Sequence, residues 1–332
     1  MPDPTRPILI AGLGSIGRRH LRNLQSLGHR NIVLYRSGKS TMADDELSAL
    51  PTVHDLAAGL AKRPQAVIVS NPTSLHLPVA LQAAQAGCHL LIEKPLSHSP
   101  EGVDALSQVV RANRLAVLVG FQFLFHPGLI QLRAWLKDGA IGAVVSAQAH
   151  WGEYLPQWHP WEDYRDSYSA RADLGGGVTL TLCHPFNYLH WMLGEVESVA
   201  ASARSDVLDT DTEDVCMASL RFAGGAVASV YLDYLQRPTA HWLTIVGREG
   251  TLAWDNADGT ARLYRAGPQS WTTHAVPEGF ERNTMFLDEM KHFLLCIDGA
   301  QSPRCGLDDG IAALKIALAV KEAAQQRRDV HV

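Results

Sequence analysis

The stretch "PILIAGLGSIGRRHLRNLQSLG", residues 7–28, decides the fold of the first part of this chain. The apolar residues 8–11 predict a short buried strand, and the pattern G-x-G-x-x-G follows them directly. Apolar residues then recur at helical spacing up to Gly28, and residues 32–35 predict a second strand. Strand, glycine turn, helix and strand form the context in which this pattern binds a dinucleotide, so we predict a dinucleotide site here.

Each glycine of the pattern has its own physical role. The first permits the tight turn, the second lets the backbone approach a pyrophosphate, and the third lets the helix pack on the strand. Free N–H groups at the start of the helix would then hold the anion. The cofactor-binding residues predicted in this turn are Gly12, Gly14, Ser15, Ile16 and Gly17. The alternative is a glycine-rich turn that holds no ligand.

The residue that ends the second strand selects the cofactor. NAD enzymes usually place an acidic residue there, which binds the ribose 2′-hydroxyl. This chain reads "YRSGKS" over residues 35–40 and has no acid in that segment. Arg36 and Ser37 suit a 2′-phosphate instead, so we favour NADP as the cofactor, with NAD as the alternative. The other interpretation is that Arg36 is a solvated charge, or stacks on adenine without discriminating.

Strand and helix patterns continue to alternate up to residue 121. "AVIVSNPTSLH" (66–76) and "CHLLIEKP" (88–95) each contain a predicted strand that ends in a polar motif. Such alternation predicts a doubly wound parallel sheet, in which ligands bind at the carboxyl ends of the strands. The motifs N-P-T and E-K-P and the glycine turn therefore meet at one edge. The further cofactor-binding residues predicted at this edge are Asn71, Thr73, His76, Glu93 and Lys94.

The chain changes character after residue 125. Extended runs separated by turns predict a mostly antiparallel sheet, and two helices follow them. The extended runs are 196–205, 213–222, 226–235, 240–247, 250–255 and 260–265, and the helices are 283–297 and 307–327. The predicted fold class is therefore α/β. We expect an N-terminal Rossmann domain with a doubly wound parallel sheet at 1–122, and a C-terminal α+β domain with a large open, mostly antiparallel sheet at 123–332.

One further helix is predicted over residues 173–196, where three glycines precede an apolar segment. On a continuous helix, Thr181, His184 and Tyr188 share one face. A histidine in an apolar helix is most often a satisfied core residue, and this interpretation stays open beside a functional one.

Composition excludes several classes of protein and site. Apolar residues make up 46% and charged residues 19%, and the net charge of -5 gives no electrostatic basis for binding nucleic acid or an acidic membrane. No apolar run has the length of a membrane span, and the N-terminus lacks the apolar core of a signal peptide, so we expect a cytoplasmic protein. The five cysteines form no C-x-x-C pair, and we expect no metal site.

Together the motifs G-L-G-S-I-G, N-P-T-S-L-H, E-K-P and GGG-(x)6-H resemble those of the Gfo/Idh/MocA oxidoreductases, over nearly the whole chain. The resemblance implies a Rossmann domain and an open-faced α/β domain whose sheet forms homodimers or homotetramers. It also implies an NAD(P)-dependent dehydrogenase or reductase that acts on CH–OH. Hydride would pass between nicotinamide and a hydroxyl or keto carbon of a sugar, sugar derivative or cyclitol. Lys94 would lie close to the reacting hydroxyl, and His184 corresponds to the family's histidine.

Three positions depart from the family's pattern. Related sequences usually carry Asp where this chain has Thr181, and they often carry Asp at the position of Asn187 and Arg at the position of Leu124. The substrate is therefore expected to differ from the common ones, and an inactive or slower member is the alternative.

We predict Lys94, His184 and Thr181 as the catalytic residues. The pKa of a free lysine, about 10.4, is too high for an efficient base at neutral pH, and burial and the charge of oxidised nicotinamide would lower it. Lys94 would act as the acid and base, with His184 sharing the proton, while Thr181 can hydrogen-bond but supplies no charge.

Sugars bind well to segments that are rich in aromatic and polar side chains, because rings stack on the apolar faces and polar groups hold the hydroxyls. The substrate-binding residues predicted on this basis are Tyr154, Trp158, Asp163, Tyr164, Arg165, Asn187 and Tyr188. A packed loop rich in proline and tryptophan is the alternative for residues 154–165. A non-catalytic protein that binds the dinucleotide as a sensor or a structural ligand is the alternative function.

Overall fold

The computed structural model describes residues 6–36, 38 and 45–332. These residues form two compact units. The first unit contains the described residues up to Phe121 together with Arg282–Ile311, and the second contains Gln122–Glu281 and Ala312–Val332. The sequence predicts a single boundary between residues 122 and 123. The structure differs because a later segment of the chain returns to the first unit, and no local pattern signals such a return.

A six-stranded parallel sheet forms the core of the first unit. Its strands are β1 (Ile8–Ala11), β2 (Ile32–Tyr35), β3 (Thr52–Val53), β4 (Ala66–Val69), β5 (His89–Glu93) and β6 (Val117–Gly120). They lie in the order β3-β2-β1-β4-β5-β6, which confirms the predicted doubly wound sheet. All residues of β1 and β4 are buried, as expected for central parallel strands that are covered on both faces.

Helices occur in both units. In chain order they are α1 (Ser15–Ser26), α2 (Leu56–Leu60), α3 (His76–Gln85), α4 (Val103–Asn113), α5 (Pro127–Lys137), α6 (Val178–Thr181), α7 (His184–Leu193), α8 (Arg282–Ile297) and α9 (Leu307–Gln326). In the first unit α1 packs against α8, and α3 packs against α4. Local chemistry fixes several of the helix starts: the Asp55 side chain caps α2 by accepting from the amide of Ala58, and the His126 ring caps α5 by accepting from the amide of Gly128.

The register of the parallel sheet places three strand ends side by side. Ala11 of β1 pairs with Val69 of β4, and Val69 pairs with Ile92 of β5. The residues that follow these positions therefore leave the sheet at the same edge. The glycine turn, the N-P-T motif and the E-K-P motif begin there, as the alternating pattern predicts.

A nine-stranded sheet forms the second unit. Its strands are β7 (Val144–Gly152), β8 (Val196–Arg204), β9 (Val215–Phe222), β10 (Val227–Asp233), β11 (Ala240–Gly247), β12 (Gly250–Asp255), β13 (Ala261–Arg265), β14 (Ser270–His274) and β15 (Val330–His331). Their order is β14-β13-β12-β11-β7-β10-β9-β8-β15. Only the β7–β10 pair is parallel among these described strands, so the prediction of a mostly antiparallel sheet is confirmed. The short strands β14 and β15 were not predicted.

The prediction of one continuous helix over residues 173–196 is wrong. Gly175 and Gly177 have positive φ angles of 80° and 100°, so no helix starts before residue 178. α6 ends at residue 181, and α7 starts at residue 184. Pro185 explains the break, because it has no N–H to donate and its ring would clash with the carbonyl of residue 181 in a continuous helix. Thr181 and His184 therefore lie on separate short helices and do not share one helical face.

Within residues 6–36, 38 and 45–332, no helix combines the length and the apolar character that crossing a membrane requires.

Candidate functional site

Two of the three glycines in the first turn are required by the fold. Gly12 has a φ angle of +96°, and a Cβ there would lie 2.4 Å from the amide nitrogen of Asn71. A Cβ on Gly17 would lie 2.0 Å from the carbonyl oxygen of Gly12. No side chain fits at either position, because both contacts are with rigid backbone.

Gly14 differs from the other two glycines. Its φ angle of -73° suits any residue, and a Cβ there would meet none of the described atoms within 4 Å. The chain's own packing therefore does not require glycine at this position. Gly14 is also the N-cap of α1 and offers no side chain to the free N–H groups of the first turn, which contains no acidic residue. Open space beside free helix N–H groups fits the approach of a pyrophosphate.

Hydrogen bonds connect the N-P-T motif to the glycine turn and to the E-K-P motif. The Ser70 hydroxyl, at the end of β4, donates to the carbonyl of Gly12 at 2.9 Å. The His76 ring lies between two backbone carbonyls: its Nε2 is 2.9 Å from the oxygen of Asn71, and its Nδ1 is 2.9 Å from the oxygen of Pro95. His76 was predicted to bind cofactor, but its ring is buried and both nitrogens face these carbonyls. In this structure His76 holds the two motifs together.

Both partners of the His76 ring are acceptors, so only the imidazolium form would donate to both. Burial lowers the pKa of His76, while the two carbonyls and the Glu93 carboxylate act in the opposite direction. Thr73 is buried at the start of a short turn that directly precedes His76. The side-chain amide of Asn71 donates to the carbonyl of Leu75 at 3.3 Å, across the same turn.

The Glu93 carboxylate is buried beneath the E-K-P turn and fixes its start. One oxygen lies 2.7 Å from Nε2 of His20, a fully buried residue of α1, and the other accepts from the backbone amide of Lys94 at 3.3 Å. Burial alone would raise the pKa of Glu93, but the His20 hydrogen bond and the charges of His20, Lys94 and His76 together lower it below its usual value. Glu93 therefore anchors the backbone as an ionised group.

Hydrogen bonds hold the backbone on both sides of Lys94. Glu93 accepts from its amide, His76 contacts the carbonyl of the following Pro95, and the Lys94–Pro95 peptide is cis. The Lys94 side chain is half-buried, while its neighbours in the motif are buried. Lys94 therefore lies on a hydrogen-bonded backbone at the edge where the strand ends meet.

His184 lies in a group of buried aromatic rings in the second unit, which we call the ring cluster. Its members are Phe123, His126, Trp151, His184, His241 and Trp254. The His184 ring contacts the edge of Phe123 at a centroid distance of 4.9 Å and lies 5.4 Å from Trp151. The His241 ring stacks on Trp151 at 4.3 Å.

Burial controls the charge of the ring cluster. It lowers the pKa of His126 to about 4. Burial, followed by the nearby His126 and His150, lowers the pKa of His241 well below its usual value. These two imidazoles are therefore neutral at pH 7, and an acid or base in this cluster would act among neutral neighbours.

The remaining predicted residues of α6 and α7 are buried in the second unit. The Tyr234 hydroxyl hydrogen-bonds the side chain of Thr181 and donates to the carbonyl of Ser169 at 3.2 Å. The Tyr188 hydroxyl lies 3.4 Å from Nε2 of His241, which places Tyr188 against the ring cluster. Asn187 is buried one position earlier.

The loop 153–174 contains five of the residues that are predicted to bind substrate. Tyr154 lies under the guanidinium of Arg237 at 3.9 Å, and Trp158 meets the edge of the buried Tyr234 ring at 5.6 Å. Asp163 and Arg165 are exposed and pair with each other, while Tyr164 between them is half-buried. Trp158 packs against Tyr234, and Asp163 and Arg165 pair with each other, so each has a partner within the protein. Contact of these residues with substrate stays a prediction.

The prediction for the ribose end of the cofactor falls partly outside the described residues. Arg36 directly follows β2, and its backbone amide donates to the carbonyl of Val53 at 3.1 Å. Ser37 lies outside the described residues. The preference for NADP therefore depends on Arg36.

Several residues of the site carry no motif that signals their role. His20 follows the glycine pattern by three positions, but its partner Glu93 is distant in sequence. His126 lies two positions after Leu124, and His241 is the second residue of β11, and neither belongs to a motif. Across the part of the chain that the structure describes, no three His, Cys, Asp or Glu side chains are grouped as a metal site would require.

Two family models match the chain. The model described as "Oxidoreductase family, NAD-binding Rossmann fold" matches residues 6–121, and the model described as "GFO/IDH/MocA C-terminal domain" matches residues 129–253. The two matches fall on different units and together include most of the chain.

Known proteins with similar sequences and structures include the following three. An uncharacterized oxidoreductase, sll0816, of Synechocystis sp. is 30% identical over 57% of this chain and 54% of its own length, so the chain spans about half of that relative. A 1,5-anhydro-D-fructose reductase of Ensifer adhaerens is 28% identical over 86% of this chain and 82% of its length. A structure of levoglucosan dehydrogenase with NADH and levoglucosan matches with a TM-score of 0.87 at 19% identity, covering 98% of this chain and 99% of that one, which supports the fold alone.

The geometry of the glycine turn predicts that alanine weakens cofactor binding at one position and lowers stability at another. Gly14→Ala should leave the melting temperature within about 1 °C of wild type and weaken NAD(P)H binding by roughly tenfold or more, because its methyl occupies the space open to a ligand. Gly17→Ala should cost roughly 3 kcal/mol or more, because its methyl clashes with backbone. Thermal unfolding and NAD(P)H fluorescence titration measure both. Unchanged affinity in a folded Gly14→Ala protein would contradict the assignment of this turn.

Proposed function

We propose, from the premise that this chain belongs to the Gfo/Idh/MocA family of oxidoreductases, that it transfers hydride between a nicotinamide dinucleotide and a carbon that carries a hydroxyl group. The proposed substrate is a sugar, sugar derivative or cyclitol. The observation that carries the proposal is that Lys94 is a half-buried residue whose backbone is held by Glu93 and His76, at the sheet edge where the glycine turn also lies. The name of one similar protein, an anhydrofructose reductase, supports the sugar.

In the proposed reaction the cofactor supplies the hydride chemistry, and the protein supplies the proton transfer. When bound, the oxidised nicotinamide accepts the hydride, two electrons and a hydrogen nucleus, from the substrate carbon. Lys94 takes the hydroxyl proton as the carbonyl forms, and it returns a proton in the reverse direction. His184 is the proposed second proton carrier. Thr181 contributes a hydrogen bond, shared with Tyr234, and no charge.

NADP is the proposed cofactor, with NAD as the alternative. The argument rests on Arg36, which directly follows β2 at the position that meets the 2′ substituent in this type of fold. A guanidinium favours a 2′-phosphate, whereas a carboxylate would favour a 2′-hydroxyl.

One observation favours a second candidate function, a protein that binds the dinucleotide without catalysis. The family pattern usually has an acid at the position of Thr181, and the hydroxyl found here bonds the buried Tyr234. Lys94 and His184 favour the enzyme, because a simple binder has no need of proton-transfer groups.

The second unit also offers a surface for self-association. One row of paired residues crosses the outer face of the sheet: Met217, Tyr231, His150 and Trp242. The rings of Tyr231 and Trp242 stack on the two sides of His150 at 4.9 and 5.4 Å, and Met217 is 57% exposed. A row of half-buried rings beside an exposed methionine, on a regular sheet, fits a second copy of the same face. We therefore propose a homodimer or homotetramer that forms through this face.

Lys94→Ala should lower kcat by roughly 100-fold or more, because the group that takes the substrate proton is removed. NAD(P)H binding should persist within a few-fold, since the glycine turn is unchanged. The matched control is Lys62→Ala, which removes an exposed lysine of the same unit. Nicotinamide absorbance with a panel of sugars and cyclitols measures turnover. Full turnover in Lys94→Ala would refute the proposed role, and no turnover of any substrate by wild type would favour the binder.

Arg36→Ala should reduce the preference for NADP over NAD by roughly tenfold or more, because a charge-assisted contact to the 2′-phosphate is lost. NAD binding should change little. Titration of both reduced cofactors into wild type and the variant measures this ratio. An equal loss for both cofactors would mean that Arg36 does not discriminate between them.

The double variant Met217→Glu/Trp242→Glu should dissociate the oligomer, because four charges would meet across a two-fold interface. Light scattering should give a multiple of 36.2 kDa for wild type and 36.2 kDa for the variant. Leu295→Glu, a substitution of an exposed apolar residue on α8 of the first unit, is the control and should keep the wild-type mass. A monomeric wild type would contradict the proposed interface.

A further inference from the structure

A second carboxyl group is buried in the first unit, and the proposed mechanism does not use it. Glu289 of α8 has 0% exposure. In the described part of the chain, neither oxygen of its carboxyl has a hydrogen-bond partner. Because an ionised carboxylate without donors is very costly to bury, such a group must have either a partner or a proton.

The surroundings of Glu289 connect it to the E-K-P turn. Phe286 lies one turn earlier on α8, and its ring meets the edge of the His20 ring at a centroid distance of 6.4 Å. His20 in turn hydrogen-bonds Glu93. Glu289 and Glu93 also interact electrostatically. His20 and Glu289 therefore belong to two helices that pack on each other, and both are buried with Glu93; we call the two carboxyls and the imidazole the acid pair with His20.

The two carboxyls of this group have unequal environments. Glu93 accepts hydrogen bonds from His20 and from the Lys94 amide, and the charge of Lys94 is near. Glu289 has none of these contacts. Burial first, and the negative charge of Glu93 second, raise the pKa of Glu289 well above its usual value. A proton bound by the pair therefore resides on Glu289.

We propose that Glu289 is a positioning residue: a neutral carboxylic acid that keeps a single negative charge, on Glu93, beneath the Lys94 peptide. The charged and titratable groups that face the pair are His20 and Arg19 from α1, His76 from α3, and Lys94 from the turn after β5. Glu289 is the group that α8 contributes. Loss of its proton at alkaline pH places a second negative charge in this group.

The consequence for Lys94 rests on the proposed function. A second carboxylate next to Glu93 would hold the Lys94 amine in its charged form and would hinder it from accepting the substrate proton. A neutral Glu289 removes this hindrance. Two unequal carboxyls that share one proton are a known way to fix charge at a reacting centre.

The first test measures stability against pH in Glu289→Gln. A group whose pKa is raised on folding stabilises the fold at low pH, and its contribution is lost as pH rises from its unfolded pKa towards its folded one. Glu289→Gln has no such proton to bind. Its melting temperature should therefore rise relative to wild type by roughly 2 °C for each pH unit above about 5.

Asp288→Asn is the matched control, because it removes one acid from the exposed side of the same helix, where Asp288 pairs with Lys291. Its difference from wild type should not grow with pH in this way. A pH-independent difference for Glu289→Gln would overturn the proposal.

Infrared spectroscopy gives a second test that needs neither substrate nor a stable variant. At pH 8 ordinary carboxyls are ionised, so a remaining carboxylic-acid carbonyl band in the wild-type spectrum reports a buried protonated group. The band should be present in wild type and in Asp288→Asn, and absent from Glu289→Gln. Absence of the band in wild type at pH 8 would overturn the proposal.

The third test separates positioning from simple packing through the pH profile of kcat. In Glu289→Gln no second negative charge appears at alkaline pH, so the pKa of Lys94 should be lower than in wild type. The part of the kcat profile that reports deprotonation of Lys94 should therefore move to lower pH by roughly half a unit or more. Asp288→Asn should keep the wild-type profile. An unmoved limb would leave Glu289 as a packing residue and refute the positioning role. If no substrate is turned over, the proposed function fails, while the stability and infrared results still decide the protonation of Glu289.

Discussion

Parallel pairing of β1, β4 and β5 is the constraint on which the first unit depends. Ala11, Val69 and Ile92 lie side by side in the register, so the chain leaves the sheet three times at one edge. Each exit carries different chemistry: free helix N–H groups, a polar turn and an amine. The Ser70 hydroxyl and the His76 ring then join the three exits by hydrogen bonds. The site is therefore a property of the sheet rather than of any single loop.

Buried polar groups have different roles in the two units. In the first unit the ionised Glu93 is satisfied by His20 and by a backbone amide, and the turn that carries Lys94 gains a fixed start. In the second unit His126 and His241 are surrounded by aromatic rings, and burial keeps them neutral. An ionised group thus supports the E-K-P turn, whereas two neutral imidazoles belong to the ring cluster that contains His184. Desolvation disfavours the charged form in both units. Glu93 is ionised nevertheless, because His20 is a strong hydrogen-bond partner, whereas His126 and His241 have no such partner among the described residues and are neutral.

Local patterns in the sequence predict the first unit well. Buried apolar runs that end in polar motifs define the strands, and the register of a parallel sheet then brings the motifs together. Apolar periodicity does not predict the break between α6 and α7, because it continues through Pro185, whose ring excludes a continuous helix there. His20 and Glu289 were missed for a different reason: their partners are distant in sequence, and single-sequence patterns contain no information about long-range pairs. β14 was missed because all its residues are exposed, so it has no apolar alternation.

A structure of the protein with bound NADPH tests the central claim most directly, because it locates the Lys94 amine relative to the nicotinamide ring. The account predicts that the pyrophosphate lies over Gly14 and the first turn of α1, and that the amine can reach a hydroxyl held against C4 of the ring. A dinucleotide bound elsewhere, or an amine directed away from the ring with the pyrophosphate in place, would contradict the account.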